Sequence, residues 1–182
     1  IMGDLSKAIS NIKVLATDVD GVLTDSTILF GSDGTEYKKF NVEDGAGAVY
    51  SNLAGIPVVF ISARFSLCTS LRASEMKVSR CYQGSLDKLG QLSRLCKDLS
   101  VKEKEIAYIG DGLVDIPVMK KVGVSFTVPN AHQMVKDVAD HITTRSGGHG
   151  AFREVVDIIL KEKGIFDKVY AKMKKEIYKS DD

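Results

Sequence analysis

The chain has 182 residues, 25 Lys+Arg against 24 Asp+Glu, and a formal net charge of +1. That length is typical of one domain, and an apolar fraction of 44% is enough to bury a core. The balanced charge argues against a partner held by bulk charge, so neither nucleic acid nor an anionic membrane is expected. No apolar run approaches the ~20 residues of a membrane span, and residues 1–11 lack the apolar core of a secretory signal, so a cytoplasmic location is expected. Cys68, Cys81 and Cys96 are odd in number and without CxxC spacing, which points to free thiols rather than a disulfide framework or a zinc site.

In chain order, Ile12–Ala16 is a short apolar run that stops at acidic residues. Thr27–Phe40 carries two strand-like arms around Gly31-Ser32-Asp33-Gly34, the signature of a hairpin. The stretch from the first strand to the next leaves room for this hairpin and one helix, but not for a separate cap domain. Pro57–Ile61 reads as a buried strand and Phe65–Met76 as a helix. Lys88–Leu99 is a second helix, Ile106–Ile109 a strand, Val114–Lys121 a shorter helix and Gly123–Val128 a further strand. Arg145–Gly150 is a loop before a helix over Ala151–Lys161. Residues 165–182 form a charged tail with Phe166, Val169, Tyr170, Met173 and Ile177 at helical spacing. Strand–helix alternation of this kind predicts an α/β domain over 1–164, with a central parallel sheet and helices on both faces.

Four features fall at the C-terminal ends of apolar runs, the edge where an open parallel sheet binds ligands. Asp18-Val19-Asp20 follows the first strand. Two carboxylates so spaced suit a nucleophile and a proton-handling partner, although turns after strands are often acidic for no catalytic reason. Ser62 precedes a helix and fits either a phosphate cradle or a plain N-cap. Lys88 opens a helix, where a cation opposes the helix dipole; an ammonium facing phosphoryl oxygens would explain it, and so would a solvated surface lysine. Asp111 and Asp115 lie in GDGLVD after the third strand. Asp111 can serve a hard cation, since magnesium needs only two or three protein oxygens beside its waters, and Asp115 can orient those ligands. The pair could also be a capping pair.

With these residues in place, the chain resembles the haloacid dehalogenase superfamily of phosphotransferases. DVDGV is similar to its first motif, Ser62 to its second, Lys88 to its third and GDGLVD to its fourth. The strings DVDGVLTD, KKFNVEDGAG, YQGSLDKL, AYIGDGLVDIPVMKKVG and GGHGAFREVVDIIL, spread over about residues 12–162, resemble the small capless branch of sugar-acid phosphatases acting on 3-deoxy-D-manno-octulosonate 8-phosphate or nonulosonate 9-phosphates. The resemblance implies a three-layer Rossmann-like fold with a hairpin insertion and no cap. It implies Asp18 as nucleophile, Asp20 as general acid/base, and Mg2+ on the Asp18 carboxylate, the Asp20 carbonyl and Asp111. Ser62 and Lys88 would hold the phosphoryl oxygens, with Asp20 also touching the substrate. Asn41, Val42, Glu43, Asp44, Gly45, Arg64 and Arg72 would face the sugar acid, the arginines matching its carboxylate. A homotetramer is implied as well, its hairpins meeting at the centre and a neighbour's C-terminal loop covering the site, with a role in lipopolysaccharide biosynthesis.

Some positions depart from the family pattern. Ala63 replaces the usual glycine of the second motif, Gly112 and Val114 remove polar side chains from the fourth, and Val49 and His149 stand where octulosonate enzymes often carry arginine. The octulosonate 8-phosphate is the expected substrate, with a nonulosonate 9-phosphate or another small sugar phosphate as the alternative. A catalytically silent assembly module of the same fold is the alternative of a different class.

Overall fold

The computed structural model describes residues 2–178. In chain order the elements are α1 (Met2–Ser10), β1 (Val14–Thr17), β2 (Leu29–Phe30), β3 (Glu36–Tyr37), α2 (Val42–Leu53), β4 (Val58–Ile61), α3 (Leu67–Glu75) and β5 (Arg80–Tyr82). They continue as α4 (Lys88–Leu99), β6 (Ile106–Ile109), α5 (Ile116–Met119), β7 (Val124–Thr127), α6 (Gln133–Lys136), β8 (His141–Ile142), α7 (Ala151–Glu162) and α8 (Phe166–Tyr178).

Six strands form one sheet in the order β5-β4-β1-β6-β7-β8, and every pairing is parallel. The four strands expected from apolar runs are its middle, and each is buried along its full length. That is why they read as unbroken apolar runs: a parallel strand covered on both faces has no solvent side to alternate with. The two edge strands are short and partly exposed, so they carry no such signal. The hairpin is a separate pair in which Leu29 faces Tyr37 and Phe30 faces Glu36. Its tip turns through Gly34 at φ +84°. No cap domain is inserted between β1 and β4 beyond this hairpin and α2.

Helix α4 begins at Lys88 and ends at Leu99, as its periodicity predicts. The expected helix at 114–121 is a 3-10 turn over Leu113–Asp115 followed by four residues of α-helix, with Pro117 near its start. Helix α1 has one apolar side, and Ile9 is fully buried. Helices α2 and α7 pack on one another, with Ala48 and Tyr50 of the first and Phe152, Val155, Val156 and Ile159 of the second in the core. Within the tail, α8 lies on α2 and α7. Val169 is buried, Met173 and Phe166 are partly buried, and Tyr50 meets the Phe166 ring edge-on at 6.5 Å. Residues 179–182 of the tail lie outside the described residues.

Candidate active site

The register of β1 with its two neighbours builds the site. Thr17 lies beside Phe60 of β4 on one side and Ile109 of β6 on the other. The residues just past these three strand ends therefore meet at one edge of the sheet, bringing Asp18, Ser62 and Asp111 together from distant parts of the chain.

Asp18 is nearly buried. Its Oδ1 accepts from the Val19 N–H at 2.6 Å, and its Oδ2 lies 2.7 Å from Lys88 Nζ. The same ammonium reaches Asp115 Oδ1 at 2.6 Å. Lys88 is 1% exposed although it is the first residue of a helix. The cost of placing a cation there is met by two carboxylates rather than by water, which settles its two sequence readings against a solvated lysine. Asp115 is fully buried and its acceptor positions are filled. Oδ1 receives Lys88 and the Tyr108 hydroxyl (2.5 Å), and Oδ2 receives the N–H groups of Asp111 (3.1 Å) and Gly112 (2.9 Å).

Carboxylate oxygens of Asp18, Asp111 and Asp115 lie within 4.8 Å of one another, and Lys88 is the cation bonded among them. Burial pushes the Asp18 carboxyl well above its usual range, Asp115 adds to this, and Lys88 opposes it. Burial, then Asp115, pushes Asp111 up to about 7. Burial alone would lower the Lys88 ammonium, but Asp18 and Asp115 outweigh it and hold Lys88 above its ordinary value. Three hard oxygen donors short of positive charge fit a divalent cation. Because Asp115 is saturated by its four donors, Asp18 and Asp111 are the side chains free to serve one. Gly21 makes room there: a Cβ on it would lie 1.9 Å from Asp111 Oδ2, and its φ of +98° suits glycine.

Asp20 side-chain Oδ1 lies 2.5 Å from Lys38 Nζ at the foot of the hairpin. Ser62 is buried; its hydroxyl donates to the Arg64 carbonyl (2.9 Å) and accepts from the Arg64 N–H (3.3 Å). It does not cap α3, because Ser66 does, accepting from Thr69 N. Ser62 thus forms a tight turn at the strand end.

The residues expected around the sugar acid spread over several environments. Arg64 pairs with Glu36 of the hairpin. Arg72 donates to the Asn41 carbonyl at 2.8 Å and to Glu75 at 2.8 Å, and its buried Nε has no partner among the described residues. Asn41 caps α2, its Oδ1 accepting from Glu43 N at 2.8 Å. Val42 and Glu43 are exposed. Asp44 is buried, accepting from the Arg153 N–H of α7 at 2.9 Å, and burial pushes its carboxyl up to about 6. Gly45 lies against Arg72, where a Cβ would come within 3.0 Å of the guanidinium. Val49 and His149 are exposed. Gly147 packs so closely behind the loop after Asp20 that a Cβ would lie 1.8 Å from the Gly21 carbonyl oxygen.

Three residues of this region were not foreseen. Tyr108 was read only as part of an apolar strand. Glu36 and Lys38 stand two apart on β3 and its extension, and that spacing puts both on one side of a strand. The alternation was the available signal for the pair.

The lysine buried among carboxylates lies at the acidic edge of a doubly wound parallel sheet, and the chain belongs to the haloacid dehalogenase-like hydrolase family. Residues 60–154 match that family's model. Among its relatives, the chain is 39% identical over 167 residues to the 3-deoxy-D-manno-octulosonate 8-phosphate phosphatase KdsC of Escherichia coli, covering 92% of this chain and 89% of that protein. The crystal structure of the Moraxella catarrhalis 3-deoxy-D-manno-octulosonate 8-phosphate phosphatase, in complex with magnesium ion, phosphate ion and KDO, superposes with a TM-score of 0.92 at 39% identity, covering 95% of this chain and 99% of that one. The cobalt-bound deoxy-D-mannose-octulosonate 8-phosphate phosphatase of Haemophilus influenzae superposes with a TM-score of 0.85 at 37% identity, covering 90% and 99%.

Proposed function

We propose that this protein is a magnesium-dependent phosphomonoesterase acting on 3-deoxy-D-manno-octulosonate 8-phosphate, with Asp18 as nucleophile. The observation that carries this reading is the contact of Lys88 Nζ with both Asp18 and Asp115 at 2.7 and 2.6 Å, all three side chains being buried at the edge of the sheet. The names of the relatives support the substrate.

The Asp18 and Asp111 carboxylates and the Asp20 backbone carbonyl would hold the cation. Bound there, a divalent ion neutralises charge between the nucleophile and the phosphate it must approach. Asp18 Oδ forms the bond to phosphorus as the ester P–O bond breaks, giving an aspartyl-phosphate. Asp20 gives its proton to the leaving alkoxide, then takes one from the water that hydrolyses the intermediate. Lys88 faces the phosphoryl oxygens and opposes the rise of the Asp18 carboxyl, and Asp115 and Tyr108 keep Lys88 in place. The Ser62 hydroxyl can turn from the Arg64 carbonyl to a phosphoryl oxygen without losing the Arg64 N–H. Arg64 and Arg72 are assigned to the carboxylate end of the substrate.

The reading includes a homotetramer, supported by the exposed Leu29 and Phe30 of the hairpin and Leu67 and Leu71 of α3, and a cytoplasmic site of action. No helix among the described residues is long and apolar enough to cross a membrane.

A second substrate, a nonulosonate 9-phosphate, is kept open by Val49 and His149, which stand where the resemblance to octulosonate enzymes leads one to expect arginine. Phosphate release from a panel of sugar phosphates with Mg2+ decides between them; inactivity on both 2-keto-3-deoxy acids would sink the substrate assignment. Asp18→Asn is expected to abolish turnover while the fold is retained, and unchanged turnover would refute the nucleophile. The same variant tests the silent-module alternative, against which the assembled acidic site already argues.

A further inference from the structure

We propose that Lys38 is a positioning residue for Asp20, through which the hairpin becomes part of the catalytic apparatus. The inference rests on the phosphatase reading. Lys38 follows β3, and its side chain is fully buried (0% exposed). Its Nζ lies 2.5 Å from Asp20 Oδ1 and 3.2 Å from Thr69 Oγ1 of α3. A buried ammonium is costly unless it is paired and hydrogen-bonded, and both of its contacts are on the site side of the hairpin.

A lysine that only fastened the hairpin would not need burial. The next residue shows this: Lys39 reaches Asp25 at 3.1 Å with its side chain 71% exposed. Two residues before Lys38, on the same side of the strand, Glu36 pairs with Arg64, and the Cys68 thiol donates to the Glu36 carbonyl at 3.3 Å. Tyr37, on the opposite side, is exposed. The inner side of this arm is thus tied at three points to the residues around Asp20, while its outer side faces solvent.

At Asp20 the consequence is asymmetric. Oδ1 is held by Lys38, whereas Oδ2 has no hydrogen-bond partner among the described residues, and the side chain is 26% exposed. One oxygen is anchored and the other left open, which is the arrangement a carboxyl needs to deliver a proton to a leaving oxygen in a set direction. Without Lys38 the side chain regains its rotamers, and a misaligned proton donor loses much of its effect.

The test uses single-turnover release of the alcohol, with Mg2+, from two esters. Glycerol 2-phosphate has a poor leaving group that needs the acid, and p-nitrophenyl phosphate has a good one that does not. Lys38→Met is expected to slow the alkyl ester by about tenfold or more and the aryl ester by less than about threefold. Adding Lys38→Met to Asp20→Asn should slow the alkyl ester no further. Equal slowing of both esters, unchanged rates, or multiplying losses in the double variant would overturn the proposal. If Lys38→Met does not fold, Thr69→Val removes only the second anchor and should show the same ester preference at smaller size; no preference there overturns it equally. A native protein that hydrolyses neither these esters nor 3-deoxy-D-manno-octulosonate 8-phosphate would instead overturn the phosphatase reading, and this inference with it.

Discussion

Asp115 and Asp18 are buried carboxylates on the same lysine, and their environments differ in a way that separates stability from activity. Asp115 receives four donors, so it serves the fold as much as the site. Asp115→Asn turns an acceptor oxygen into a donor facing other donors. It is expected to cost about 3 kcal/mol, the scale of breaking one partner of a buried pair, read as a shift in the urea midpoint. Asp18 is the opposite case. Burial and Asp115 disfavour its charge, so Asp18→Asn should leave stability unchanged or raise it while removing turnover. Such trade-offs are usual at sites built of unfavourable charge. Asp44 offers a pH test. Its folded carboxyl titrates at about 6, against an ordinary value of 3.8, because it is buried. Folding therefore favours its protonated form: its contribution is fully present below about pH 4 and is lost as pH rises through about 6. The linkage limit is about 3 kcal/mol. Asp44→Asn keeps the acceptor for the Arg153 N–H but cannot ionise. The difference in unfolding free energy between the native protein and this variant should change by up to that amount between pH 4 and 7. A constant difference would show that Asp44 does not titrate in this window.

Among the elements, α3 shows how little separates a site residue from a cap. The sequence offers Ser62 as a possible cap and starts the helix at Phe65, whereas the helix begins at Leu67. The structure assigns the cap to Ser66, which is nearly buried, and leaves Ser62 at the strand end. Ser66→Ala should cost about 1 kcal/mol, measured by chemical denaturation. The hairpin was legible from its Gly-Ser-Asp-Gly turn, and β1, β4, β6 and β7 from their apolar runs. Helix α4 was legible to its first and last residues. Elements α1, β5, α6 and β8 were not recognised as such. The strands are two or three residues long at sheet edges, too short for a periodicity, and α6 spans a single turn.

Across the whole molecule, three carboxylates converge from β1 and from the stretch following β6, with one lysine from α4 between them. This clustering should make the protein respond to metal as a unit. Mg2+ at about a hundredfold its Kd should add about 3 kcal/mol of stability, seen as a rise in Tm that EDTA reverses. No rise at millimolar Mg2+ would argue against a magnesium site at Asp18 and Asp111. Gel filtration or light scattering should give four times the chain mass if the homotetramer of the proposal forms.

Reading the residues alone was enough for the parallel α/β class, the hairpin and the absence of room for a cap, and it picked out the acids and the lysine that the fold brings together. These are written in local patterns: apolar runs that stop at Asp18, Ser62 and Gly110, and a helix opened by a cation. Tertiary structure decided what each group faces. Only the parallel register sets Asp18 beside Lys88, only burial distinguishes saturated Asp115 from Asp111, and only the folded hairpin carries Lys38 to Asp20 across 18 residues. The reason is physical. A side chain's charge and hydrogen-bonding capacity are properties of its type, whereas the partners that use them come from chain segments far away in sequence.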